Sequence, residues 1–224
     1  RVRQAAAQLA SLLESAAWQE LWQRRQALSP PARIALCLAY CWRHGSTPFL
    51  PAVAELARDI LDSPTASAQD RWEALRLVML ACGDWELDKP PVEILTGYTL
   101  RHQLPAEFRQ RLLAALHRYW PSQDARWNQE AARLLAMLRD DTPQLPDKLA
   151  RFWSPQSDPT WDVHYLIVLA CAGASWPEKL TPQVADVLIG ADNEKIQRWG
   201  FDQLSVYGLF RAHSGKRVIA MLHR

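Results

Sequence analysis

Apolar residues recur along this chain at the three-and-four spacing of a helix face, and no stretch sustains the alternation of a half-buried strand. Leu9, Leu12, Leu13, Ala16 and Ala17 fall on one such face, continued by Trp18, Leu21 and Trp22. Ser29 and Pro30 start a helix that runs to Trp42 before Gly45 stops it. A shorter one covers Phe49 to Leu61, and Ser67 caps another from Ala68 to Cys82, closed by Gly83. Pro90-Pro91 opens a short helix through Leu100, Pro105 opens one to Tyr119, and Asp124 caps a long one to Leu138. Further helices are predicted at Leu145–Trp153, Trp161–Ala172, Pro182–Ile189 and Glu194–Phe210. Prolines fall almost entirely between these segments, where they stop helices without breaking them. The predicted class is all-α, with about eleven to twelve short helices.

Four of the helices resemble one another. Residues 32–41, 73–82, 130–139 and 162–171 are almost wholly apolar, and their starts are separated by 41, 57 and 32 residues. A helix apolar all round needs cover on both sides, which is the sequence form of a helix-hairpin solenoid. The spacings bracket the HEAT/armadillo period of roughly 40–47 residues. The expectation is one HEAT-like α/α superhelix over residues 1–224, with inner helices near 32–44, 68–82, 125–138 and 161–172.

Composition narrows the class further. Eight glycines in 224 residues are too few for a fold built on tight turns or phosphate loops, which argues against a Rossmann domain or a β-sandwich. With 26 basic and 24 acidic residues the formal charge is +2, so no nucleic-acid partner is expected. The near-apolar run from Tyr165 to Ala174 is too short to span a bilayer, so this segment is not expected to insert in a membrane. The ends, Arg1-Val2-Arg3 and Met221-Leu222-His223-Arg224, read as cut from a longer protein. Four cysteines occur without a Cys-x-x-Cys pair, so neither a disulfide framework nor a redox motif is indicated. Arginine outnumbers lysine 21 to 5, a bias with no evident cause in the sequence.

The strings EALRLVMLACGDW (73–85), PVEILTGYTL (91–100), DARWNQEAARLLAMLRDDTPQL (124–145) and DVHYLIVLA (162–170) resemble the HEAT-type helical segment of large bacterial membrane-bound dehydrogenase or haem-binding multidomain proteins. The resemblance covers roughly Ser29 to Ile189. It implies an exported, periplasmic or cell-envelope setting and a non-catalytic scaffold that positions dehydrogenase-like and cytochrome c domains of the same chain or docks another protein. The family's haem-attachment motif, Cys-x-x-Cys-His, is missing, so the resemblance implies no cofactor in this segment and haem c only elsewhere in the parent protein.

Candidate chemistry is sparse, and no catalytic or metal residue is assigned. Cys37, Cys41 and His44 share a helix face that could in principle hold a metal, but with no fourth ligand apparent they read as two core thiols and a terminal histidine. Asp162 and His164 invite an acid/base reading, but residues two apart on a helix face different ways. Asp162 then serves the helix dipole and His164 a neighbouring repeat. Asp140-Asp141 ends a helix, with Asp141 expected to organise the turn. Arg126, Trp127, Arg133, Trp161 and His164 form the candidate interaction surface. Tryptophans at helix ends (Trp42, Trp85, Trp120, Trp153, Trp176) suit indoles whose N–H meets water. The alternative function is a HEAT-like DNA glycosylase, drawing on Arg126, Arg133, Arg151, Trp127, Trp153 and Asp162 on a concave face.

Overall fold

The computed structural model describes residues 2–44, 49–83, 97–100, 103–154 and 157–193. Among these it contains ten α-helices, short 3-10 turns and no strand, as the apolar periodicity requires. Contacts divide the chain into two compact units, Arg1–Asp88 with Leu100–Tyr119, and Lys89–Thr99 with Trp120–Arg224. The predicted helix over 91–100 (apart from its last four residues) and the one over 194–210 lie outside the described residues.

The first unit holds α1 (Val2–Ser11), α2 (Ser15–Gln23), α3 (Pro30–His44), α4 (Pro51–Asp62), α5 (Ala68–Ala81) and α6 (Ala106–Tyr119). Its centre is α3, which packs on α1, α4 and α5, while α4 also packs on α5 and α6. Ile34, Leu36, Cys37, Ala39 and Cys41 of α3 are buried in that contact. The start of α5 is a full capping box: Asp70 N donates to Ser67 Oγ at 3.1 Å, and Ser67 N donates to the Asp70 carboxylate at 3.0 Å. Arg3 of α1 then pairs with Asp70 at 2.7 Å and Glu73 at 2.6 Å. Burial alone would raise the Asp70 carboxyl, but the Ser67 bonds and the Arg3 charge hold it below its ordinary range.

The face read from Leu9 through Trp22 is not continuous. Residues 12–14 break it into two helices of different phase, leaving Leu9 and Leu12 71% and 81% exposed while Ala7 and Trp18 are buried. Arginines close the helix ends here. Arg43 Nη1 donates to the carbonyls of Ser11 and Leu13, both at 2.8 Å, where α1 stops. Arg25 takes the Trp22 carbonyl near the end of α2 at 2.9 Å, and Arg71 takes those of Leu61 and Ser63 where α4 stops. Carbonyls at helix ends lack their full intrahelical complement, and one guanidinium can hold two of them, Arg71 through Nε and Nη2 and Arg43 through Nη1.

The second unit holds α7 (Ala125–Met137), α8 (Leu145–Ala150), α9 (Pro159–Cys171) and α10 (Thr181–Asn193). Its centre is α9, which packs on α7, α8 and α10. Every residue from Asp162 to Cys171 is buried, as a helix apolar on all sides demands. The recurring segments lie side by side within each unit, α3 against α5 and α7 against α9.

The end of α7 is fixed by Asp140, where the sequence pointed to Asp141. Arg139 turns at φ 51°, and the Asp140 carboxylate accepts from Thr142 N at 3.1 Å and Thr142 Oγ1 at 2.7 Å. The fully buried Asp140 also accepts Gly173 N and Ala174 N on its backbone carbonyl, at 2.9 and 3.0 Å. A Cβ on Gly173 would sit 2.7 Å from the Arg139 carbonyl oxygen, so only glycine fits that approach. Among the described residues no helix is long and apolar enough to cross a membrane.

Candidate functional site

Two polar side chains lie in the early turns of the apolar helix α9. Asp158 caps the helix by accepting Thr160 N at 2.8 Å, with Pro159 in the first turn, so the helix begins two residues before the predicted Trp161. Asp162 and His164 follow inside the core, 2% and 7% exposed. His164 Nδ1 is hydrogen-bonded at 2.8 Å to the hydroxyl of Tyr98, sixty-six residues away in sequence, and not to Asp162. Trp161 and Tyr165 set their rings edge-on to the imidazole, centroids 5.7 and 4.9 Å away.

Burial drives the His164 pKa down to about 4, with the Arg133 charge adding to the fall and the Gln129 backbone opposing it. Burial likewise lifts the Tyr98 phenol to about 12. At neutral pH the pair is uncharged, which suits a fastening more than proton transfer. Arg133 of α7 completes it by donating Nε to the carbonyl of Gly97, where an added Cβ would come within 3.0 Å of the guanidinium. Residues 97–98 are thus tied to α7 through Arg133 and to α9 through His164. Arg133 and His164 were candidates from the sequence but Tyr98 was not, because no local spacing links it to α9.

The start of α7 is built as read, with Asp124 Oδ1 accepting Arg126 N at 2.9 Å and Trp127 N at 3.4 Å. Asn128 holds the preceding loop, accepting Ser122 N at 2.7 Å and donating to Ser122 O at 2.8 Å. The five candidate surface residues do not form one ridge. Arg126 is exposed and Trp161 is 39% exposed, whereas Trp127 and His164 are buried and Arg133 is turned onto Gly97. Trp127, Trp153 and Asp162, which the glycosylase alternative would place on an open concave face, are core residues. The indoles of Trp120 and Trp153 donate to the carbonyls of Asn128 and Asp162, at 3.2 and 3.3 Å, where the sequence suggested water.

Cys37 and Cys41 are buried, and burial pushes both thiols up, Cys41 to about 12, away from the thiolate a metal needs. His44 packs on Tyr40 with centroids 4.3 Å apart. Among the described residues no group of three or more His, Cys, Asp or Glu side chains could hold a metal ion.

The last helix of the described structure, α10, lies on α9 and leads into the C-terminal stretch. Residues 180–224 match the family model of the RQC domain. That domain is the helicase-associated, nucleic-acid-binding C-terminal module of RecQ helicases, and the match spans about a fifth of this chain. Comparison with curated proteins and with solved structures found no match.

The match corrects four expectations. The resemblance to a dehydrogenase- and cytochrome-associated HEAT segment is overturned, and the scaffold between redox domains and the haem association go with it. The described parts of the strings at 73–85 and 162–170 are largely buried helix, and any protein with a dry central helix such as α9 shares that apolar texture. The expectation of no nucleic-acid partner is overturned as well. It rested on the charge of the whole chain, which averages over an uneven distribution. Residues 203–224 contain no Asp or Glu but carry Arg211, Lys216, Arg217 and Arg224, with His213 and His223. Charge read by segment would have shown this.

Proposed function

We propose that this chain is a non-catalytic, nucleic-acid-binding accessory segment of a helicase-type protein, with the RQC-like stretch at 180–224 contacting backbone phosphates. The family match carries the reading. The acid-free cationic run at 203–224 supports it, since phosphate neutralisation supplies most non-specific affinity. The packing of α10 on α9 supports it too, because it roots the matched segment on the best-buried helix of its unit. A binding role without chemistry fits a site whose histidine is neutral and fastened to Tyr98 and whose thiols are protonated. The exported setting rested on the overturned resemblance and falls with it.

Fluorescence anisotropy with a labelled short duplex tests the proposal. The full chain binds at about 50 mM salt, and log K falls with log salt at a slope of roughly −3 to −4 if the four cations at 211, 216, 217 and 224 meet phosphates. The triple substitution Arg211→Gln, Lys216→Gln, Arg217→Gln flattens that slope by about 3. Absence of duplex binding at low salt, or an unchanged slope in the triple variant, would overturn it.

A further inference from the structure

A second cationic stretch lies far from the RQC-like segment, in the first unit. Residues 21–54 contain no Asp or Glu and carry Arg24, Arg25, Arg33 and Arg43. The carboxylates that flank the stretch are engaged: Glu20 pairs with Arg24 at 2.8 Å, and Glu55 pairs with Arg58 and Arg111.

Within the stretch, α2 and α3 line up an aromatic row. Trp18 and Trp22 stack with centroids 5.9 Å apart and planes 21° from parallel. Trp22 meets Tyr40 at 4.5 Å, and Tyr40 meets His44 at 4.3 Å. The row runs outward from the core: Trp18 is buried, Trp22 and Tyr40 are half-buried, and His44 is exposed. Two guanidinium groups flank it, Arg25 5.3 Å from the Trp22 ring centroid and Arg43 4.9 Å from that of Trp18. Both are held in place by the carbonyl bonds at the ends of α2 and α1.

We infer that this row is a binding site for single-stranded nucleic acid, the bases stacking on the outer rings and the phosphates meeting the surrounding arginines. Each feature selects for that class. Arg25 and Arg43 beside the row, in a stretch whose own residues include no carboxylate and whose bordering Glu20 and Glu55 are paired with arginines, favour a polyanion. A row of aromatic rings, its outer members tilted by 39° and 40° to one another, adds nothing to an acidic peptide but offers ring faces to unpaired bases. A duplex keeps its base faces covered and offers only edges and phosphates. A neutral sugar would use the rings and leave the charge pattern unexplained. The site lies in a different stretch from 180–224 and does not depend on the reading of that segment.

The experiment uses the full chain and three labelled probes: oligothymidylate, an abasic strand of the same length, and a duplex. Oligothymidylate binds at least about fivefold more tightly than the abasic strand, because the latter keeps the phosphates and loses the stacking. The double substitution Arg25→Gln, His44→Ala weakens oligothymidylate by about fivefold or more and leaves duplex binding within about twofold. The Arg211→Gln, Lys216→Gln, Arg217→Gln variant keeps the preference for thymidylate over the abasic strand, so failure of either site is read separately. Equal affinity for oligothymidylate and abasic strand by the unsubstituted chain overturns the inference without reference to any variant. Competition by polyglutamate as effective as by oligothymidylate overturns it in favour of an acidic peptide.

Discussion

A histidine enclosed by rings and apolar helix is compatible with folding only while it is neutral, and His164 is held that way by its surroundings. Its folded pKa of about 4 lies below the ordinary 6.5, so the unfolded chain binds its proton first as the medium is acidified. The stability it contributes is present above about pH 6.5, is lost as pH falls from there to about 4, and changes no further below that. Denaturant titrations at pH 7 and pH 4 therefore show a larger loss for the natural chain than for His164→Gln. The difference between the two losses is on the order of 2–3 kcal/mol. An equal loss in both would mean that the imidazole is already charged in the fold. Residues whose partners lie within one turn, such as Ser67 with Asp70 or Asp124 with Trp127, were legible from the sequence because local geometry fixes those bonds. Tyr98 was not, since its bond to His164 spans sixty-six residues and only the packing of α9 creates it.

At the scale of elements, starts were more legible than interruptions. Ser67, Asp124 and the prolines at 30 and 105 mark where α5, α7, α3 and α6 begin, because caps and fixed φ act on the first turn alone, whereas α4 begins at Pro51, two residues after the predicted Phe49. The break at 12–14 carries no proline or glycine, so the apolar period was read straight through it. The capping box of α5 has a further reach than most: its Asp70 also receives Arg3 from α1. Substituting Ser67→Ala removes the Oγ acceptor and slackens the carboxylate that Arg3 meets. The expected cost is about 1–2 kcal/mol, read as a drop of a few degrees in the melting temperature. Ser67→Asp, which restores an acceptor at the cap, recovers most of it. A loss that Asp fails to recover would show that Ser67 matters for something other than capping.

For the whole molecule, the charge total hides its arrangement. Some helices mix both signs, as in the Arg58 network with Glu55, Asp59 and Asp62, whereas 21–54 and 203–224 hold cations alone. Fold class was readable because apolar period is a property of every segment, but function was not, because it sits in local departures from an average. Salt should therefore act differently on folding and on binding. Many arginines here grip neutral carbonyls at short range, and ionic screening touches such bonds little. Between about 50 and 500 mM salt the melting temperature shifts by no more than about 2 °C while nucleic-acid affinity falls by orders of magnitude. A melting temperature that tracks affinity would show that ion pairs, not carbonyl bonds, hold the helices.

The grip of Arg43 on Ser11 and Leu13, and of Arg71 on Leu61 and Ser63, also bears on the excess of arginine over lysine. A lysine offers one nitrogen on a flexible stem and cannot reproduce the grip of Arg71, whose Nε and Nη2 hold the two oxygens from a fixed plane. At position 71 the ordinary drift between the two basic residues is closed. A tally of cations taken from the letters alone does not show which of them also anchor a helix end.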